Sequence, residues 1–271
     1  MNLKKILKSS QYIALNAGDY VLSNLGRVKN IEFKGERNLV TEIDKRSEEM
    51  IKSYLFGKYP AFDFVGEEFG GDADSEYYWL VDPIDGTNNF SHTFPVFCVS
   101  IALLKDKNPI LGVIYDPTRK EIFSAISKEG ACLNGKKISV SKIDKISRSL
   151  VATGFYYDFK DQSDTNIEHF SNFIYHAQGV RRCGAAALDL AYVASGRLDG
   201  FWELGLNPWD TAAGILLIEE AGGRVTRMDG GDFNPFYPNI LSSNGLLHQE
   251  MLRIISLEGN SARIKPKRFG S

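Results

Sequence analysis

WLVDPIDGTNNF, residues Trp79 to Phe90, sets two carboxylates, Asp82 and Asp85, on either side of a Pro-Ile pair. An apolar run precedes them, and a glycine and a threonine follow. The apolar run predicts a buried strand that stops at acidic residues. Gly86 permits a sharp turn, and Thr87 can open a short helix whose N-terminus favours phosphate. Carboxylates crowded at a strand end repel one another unless something cationic sits between them. Two more acidic points stand at element boundaries: Glu67-Glu68 after DFVG, and Asp210 in NPWDTAAG. Each alone reads as a turn or a helix cap. Together, with no His or Cys among them, they fit a hard cation such as Mg²⁺, to which the Ile84 carbonyl adds another oxygen donor.

Upstream of this stretch, Leu3, Ile6, Leu7, Ile13, Ala17, Tyr20 and Val21 recur at helical spacing and predict an opening amphipathic helix. Ile43, Ser47, Met50, Ile51, Tyr54 and Leu55 mark a second helix with Asp44 in its first turn. Downstream, VFCVSIALL, PILGVIYD and EIFSAISK, separated by KDKN, PTRK and EGACLNGKK, predict an antiparallel meander. After about residue 142, strand-like and helical segments alternate, the pattern of an α/β layer. The expected organisation is two packed subdomains. Residues 1–141 form an α+β unit with the meander and the acidic loop, and 142–271 form an α/β unit.

The 271 residues are 43% hydrophobic and 24% charged, with a formal net charge of -2. No global field draws this chain to nucleic acid or to an anionic membrane. The basic tail at Arg263, Lys265, Lys267 and Arg268 reads as a solvated terminus or a docking segment. Three scattered cysteines, Cys98, Cys132 and Cys183, without a CxxC pair, point to free thiols and a cytoplasmic setting. No signal peptide or membrane span is expected.

IDGT matches half of the Asp-x-Asp-Gly-Thr motif of haloacid-dehalogenase-like phosphatases. The nucleophile position there is Pro83, so a covalent aspartyl-phosphate route is not expected. Taken in order, NLVTEIDKRSE (38–48), GEE (66–68), WLVDPIDGTNNF and NPWDTAAGILLIEEAGG (207–223) resemble the inositol monophosphatase family. The resemblance implies a layered αβαβα sandwich, a homodimer, and Mg²⁺-dependent, lithium-sensitive hydrolysis of phosphate monoesters by direct attack of water. It implies two or three Mg²⁺ ions. Glu67, Asp82 and the Ile84 carbonyl would hold the first, and Asp82, Asp85 and Asp210 the second. A third would sit near Glu67. Gly86 and Thr87 would contact phosphate. Asp44 and Thr87 would orient the attacking water, with Glu67 in reach of it. Lys34 would lie near this cluster or be an exposed loop lysine.

Gly184, Ala185 and Ala186 open a predicted helix and are expected to offer amides to substrate oxygens. Glu203, in a strand-like segment before Asp210, reads through the resemblance as an acceptor for a ring hydroxyl. The alternative is an ion pair with Arg182 or Arg197. The asparagines after IDGT resemble the inositol group. Fructose-1,6-bisphosphatase or dual activity is the runner-up, followed by 3′-phosphoadenosine-5′-phosphate phosphatase. An interaction protein that keeps the fold would predict eroded metal ligands, and every side-chain ligand is present.

Overall fold

The computed structural model describes residues 1–28, 31–33, 39–156 and 165–257; Lys34 and the basic tail lie outside them. The helices among these residues are α1 (Leu3–Ser23), α2 (Glu42–Lys58), α3 (Thr87–Ser91), α4 (Ile167–His176), α5 (Ala186–Ala194), α6 (Pro208–Glu220) and α7 (His248–Ile255). None is long and apolar enough to cross a membrane.

Helices α1 and α2 form the outer layer. α1 buries Ile6, Ile13, Ala17 and Val21 along one face, the stripe its spacing predicts. Between the two helices, β1 (Ile31–Phe33) and β2 (Leu39–Thr41) pair as an antiparallel ribbon. Thr41 then caps α2 in a reciprocal capping box with Asp44.

The second layer is a seven-stranded sheet in chain order. Its strands are β3 (Asp63–Gly66), β4 (Tyr77–Asp85), β5 (Cys98–Lys105), β6 (Asn108–Asp116), β7 (Glu121–Ile126), β8 (Gly130–Leu133) and β9 (Lys136–Lys137). Only β3 and β4 run parallel; the rest is the expected meander. EGACLNGKK, expected to be a connection, is itself a hairpin, with Asn134 and Gly135 at φ 49° and 76° in its loop. Asn-Gly suits the positive φ that both positions of such a loop need.

Helices α5 and α6 fill the middle layer, between this sheet and the next. They are apolar nearly all round because a sheet covers each side. The second sheet holds β10 (Leu150–Thr153), β11 (Gly179–Arg181), β12 (Gly200–Glu203), β13 (Arg224–Thr226) and β14 (Ile240–Ser243). Its order is β11-β10-β12-β14-β13. β10 is parallel to β11 and β12, and β14 is antiparallel to its neighbours. The outer face of this sheet is covered by α4 and α7, where Phe173 stacks on Trp202 with centroids 3.9 Å apart. Full burial of such side chains contributes about 1.5–3 kcal/mol each. The result is the αβαβα sandwich. At one edge of it the ends of β3, β4 and β12 meet the starts of α3, α5 and α6 around a cavity.

Candidate active site

Strand β4 does not stop at Asp82. Its extended backbone continues through Pro83 and Ile84 to Asp85, with a register shift against β5 between the two aspartates. Pro83 has no N–H to lose from the ladder and sits within that irregularity. Asp82 Oδ1 accepts from the Ile84 N–H at 2.9 Å. Gly86 then turns the chain at φ 95°, and a Cβ there would lie 2.9 Å from the Val96 carbonyl oxygen. Thr87 starts α3.

Glu67, Asp82, Ile84, Asp85, Gly86, Thr87, Gly184, Ala185, Ala186, Glu203 and Asp210 all line this one cavity. Asp44 stands behind it: Thr87 Oγ1 lies 3.0 Å from Asp44 Oδ1 and 3.0 Å from the Ile84 carbonyl oxygen. The start of α5 behaves differently from the expectation. Ala186 N–H and Ala187 N–H donate to the two oxygens of Asp85, at 3.2 and 2.7 Å. The helix N-terminus therefore holds a protein carboxylate, and the Ala186 amide, on the cavity wall, is directed to it. At the start of α6, Asp210 accepts from the Asn207 N–H at 2.7 Å in a second capping box.

Burial pushes the Asp82 carboxyl well above its ordinary value, and Glu67, Asp85 and Asp210 push it further. Asp210 is driven the same way by burial, Glu67 and Asp85. Asp85 rises to about 6 through burial, while the Ala187 amide and the Cys98 thiol hold it down. Asp44 also rises to about 6 through burial, restrained by Thr41 and Thr87. Among the described residues no three His, Cys, Asp or Glu side chains close into a ready-made metal shell. Several of their oxygens turn to backbone amides instead. The donors facing the cavity are nonetheless all oxygen, and their shared electrostatic deficit is positive charge. That chemistry fits Mg²⁺.

Glu203 packs against Gly154 and is raised by burial and by Asp189 and Asp210, with Arg182 pulling the other way. Arg182 is the cation on the cavity wall among the described residues. Arg197 is not a partner of Glu203: it pairs with Glu121, its Nη1 2.5 Å from Oε2 and its Nη2 2.7 Å from Oε1.

Three positioning residues escaped the sequence reading. Glu48 accepts from the Glu68 and Phe69 N–H groups at 2.8 and 3.1 Å, and so wraps the turn that carries Glu67. Asn89 donates to the Val96 and Cys183 carbonyls, both at 2.8 Å, and ties α3 to the turn before α5. Cys98, fully buried on β5, has its Sγ 3.6 Å from Asp85 Oδ2. Glu48 had a signal, since its carboxylate falls on the apolar face of α2. Asn89 stands among the asparagines that resemble the inositol group, with nothing to indicate its role as a tie, and Cys98 had no signal.

A model of the inositol monophosphatase family matches residues 2–258. The chain is 42% identical over 258 residues to an inositol-1-monophosphatase of Synechocystis sp., covering 94% of this chain and 90% of the relative. It is 39% identical over 261 residues to a fructose-1,6-bisphosphatase/inositol-1-monophosphatase of Aquifex aeolicus, covering 93% and 96%. The solved structure of an inositol monophosphatase from Anabaena (Nostoc) sp. superposes with a TM-score of 0.88 at 40% identity, covering 97% of this chain and all 100% of that one.

Proposed function

Since this chain belongs to the inositol monophosphatase family, we infer that it is a phosphatase of inositol 1-phosphate or a related polyol or sugar phosphate, with Mg²⁺ as cofactor. The observation that carries this reading is the gathering of Glu67, Asp82, Asp85 and Asp210 on the wall of one cavity. Two or three Mg²⁺ ions per site, lithium inhibition and a homodimer extend it from the family resemblance. A cytoplasmic location extends it from the free cysteines.

Glu67, Asp82, the Ile84 carbonyl, Asp85 and Asp210 would hold the metal. Bound Mg²⁺ supplies charge for the phosphoryl oxygens and lowers the pKa of water beside it. The chain's own residues do the rest. Gly86 and Thr87 face the phosphate. Thr87 Oγ1 accepts a hydrogen bond from the attacking water, and its own proton turns to Asp44 Oδ1, 3.0 Å away. Asp44, with a carboxyl pKa of about 6, is mostly ionised at neutral pH and can take that proton. Attack is direct and in line, so configuration at phosphorus inverts. Glu203 accepts from a hydroxyl of the alcohol part.

A second reading, activity on a sugar bisphosphate, is favoured by one observation: Arg182 at the cavity wall could meet a second phosphate. Phosphate release with and without Mg²⁺ tests both readings, on inositol 1-phosphate, fructose 1,6-bisphosphate, 3′-phosphoadenosine 5′-phosphate and glycerol 2-phosphate. Release from none of them sinks the phosphatase reading. Preference for the bisphosphate, lost in Arg182→Ala, promotes the second reading.

A further inference from the structure

A second cavity, of about 430 Å³, takes Leu204 into its wall, next in the chain to Glu203 of the catalytic cavity. Leu204, Met228 and Ile255 supply apolar walls, and Arg227, Tyr237 and Asn239 bring polar atoms. That size and mixture are typical of small-ligand sites. The Arg227 guanidinium sits 5.0 Å from the centroid of the Tyr237 ring. One of its terminal nitrogens is 3.1 Å from Asp229, whose side chain is 65% exposed. Water screens such a pair, so it competes weakly for the guanidinium. Arg227 Nε is buried and has no acceptor among the described residues. With Nε out of reach, an entering oxygen meets the terminal nitrogens of this guanidinium, whose side chain is 36% exposed.

The backbone at this point serves two cavities. Leu204 lines the second cavity, while Glu203, Leu206 and Asn207 line the catalytic one. The Leu206 N–H donates to the Pro238 carbonyl at 2.9 Å, and the Gly205 N–H to Asn239 Oδ1 at 3.3 Å. Both acceptors belong to the wall of the second cavity. Asn207, at the end of the same stretch, shares its capping box with Asp210. A ligand that shifts Pro238 and Asn239 therefore acts on the residues that face the substrate.

We propose that this second cavity binds a small carboxylate with a short apolar body, and that its occupation alters turnover through residues 203–207. The carboxylate pairs with Arg227, and the apolar body fills the side lined by Leu204, Met228 and Ile255. A monoanion suits the site better than a phosphate dianion, because Asp229 stands beside the single guanidinium. The effect on turnover rests on the phosphatase reading; the binding does not.

The test uses the full chain without metal, in an amide-detected NMR titration with isocaproate, and with isohexanol as the uncharged control. The expected shifts cluster at residues 204–205, 227–229 and 237–239. Isohexanol, and isocaproate with Arg227→Gln, should bind about tenfold more weakly, as loss of one charged pair implies. Tyr237→Leu, at a 39% exposed position, is the second variant should the first not fold; it should also weaken binding. With the cavity saturated, kcat or KM for inositol 1-phosphate should change by about twofold or more, and Arg227→Gln should abolish that change. Shifts centred on Gly86, Thr87 and Gly184 instead, no shifts at all, or turnover indifferent to a saturated cavity overturn the proposal. A chain that shows the expected shifts but hydrolyses no phosphate ester keeps the binding site and overturns the phosphatase reading.

Discussion

Thr87→Val removes one oxygen from the site and almost nothing else. Valine keeps the volume and the β-branch. The lost hydroxyl lies 3.0 Å from both Asp44 Oδ1 and the Ile84 carbonyl. Asp44 Oδ2 keeps the Thr41 N–H at 2.9 Å and the Thr41 hydroxyl, while the buried Oδ1 loses its hydroxyl donor. The fold should therefore lose about 1–3 kcal/mol, the cost of a buried acceptor left without its donor. Catalysis loses the proton relay as well. A hydrogen bond to a charged group contributes about 1.5–3 kcal/mol, and a positioned general base about a hundredfold to ten-thousandfold. With both arguments, kcat should drop by at least about a hundredfold. The pH profile carries a second signature. The Thr87 hydrogen bond holds the Asp44 carboxyl below where burial alone would put it. Removing it raises that pKa further above 6, so the acid limb of kcat moves to higher pH. Thr87→Ser keeps the hydroxyl and should stay near wild type. The assay is phosphate release at saturating Mg²⁺ between about pH 5.5 and 9, beside a melting curve. A Thr87→Val enzyme within about threefold of wild type, with an unmoved acid limb, refutes the relay through this hydroxyl.

Asp82→Asn should abolish turnover while raising Tm in EDTA, because burial and three carboxylate neighbours penalise the Asp82 charge when no cation is bound; normal turnover at saturating Mg²⁺ is the opposing result. Glu203→Gln should lower kcat/KM for inositol 1-phosphate about tenfold to a hundredfold, yet leave p-nitrophenyl phosphate nearly unchanged; equal losses on both substrates would make the residue structural. His248 gives a pH prediction away from the site. Its ring is buried between the hydroxyls of Thr226 and Ser243, each 2.9 Å away. Burial first, then Arg224, lowers its pKa from 6.5 to about 4. Below pH 6.5 the unfolded chain therefore binds a proton that the folded chain refuses. Stability should fall as pH drops from 6.5 towards 4, by up to about 3 kcal/mol from this group. The site carboxyls, raised in the fold, push the opposite way, so the measure is urea stability of wild type against His248→Gln at both ends. Equal pH slopes in the two proteins would remove His248 from the account.

The parts of the fold legible in the sequence are those that local pattern specifies. The stripe of α1, the alternating runs of the meander and the apolar cylinders α5 and α6 each announce their surroundings through periodicity. β11, only three residues long, is too short to carry a period. The β8–β9 hairpin was misread for a different reason: Asn134-Gly135 is a strong turn signal, but its second strand has only two residues. Pro83 explains the misplaced end of β4. A proline normally argues against a strand, and only the register shift against β5 accommodates Pro83 there.

The site divides along the same physical line. Asp82, Ile84, Asp85, Gly86 and Thr87 are contiguous, so their chemistry could be read as one motif. What holds them in place is not contiguous. Asp85 meets the Ala187 amide across 102 positions of chain, and Asn89 meets the Cys183 carbonyl across 94. Neither contact exists until α5 docks between the two sheets. β4 by itself presents Asp82 and Asp85 as crowded, buried charges, which is the electrostatic problem the sequence poses. The amides at the start of α5 ease it for Asp85, and the Asn207 amide does so for Asp210. Asp82 is left with the one local N–H of Ile84 against three acidic neighbours. Asp82, so little relieved by the protein, is the residue that the family resemblance makes the bridge between two cations. The fold leaves unmet charge where a shared metal ligand would need it.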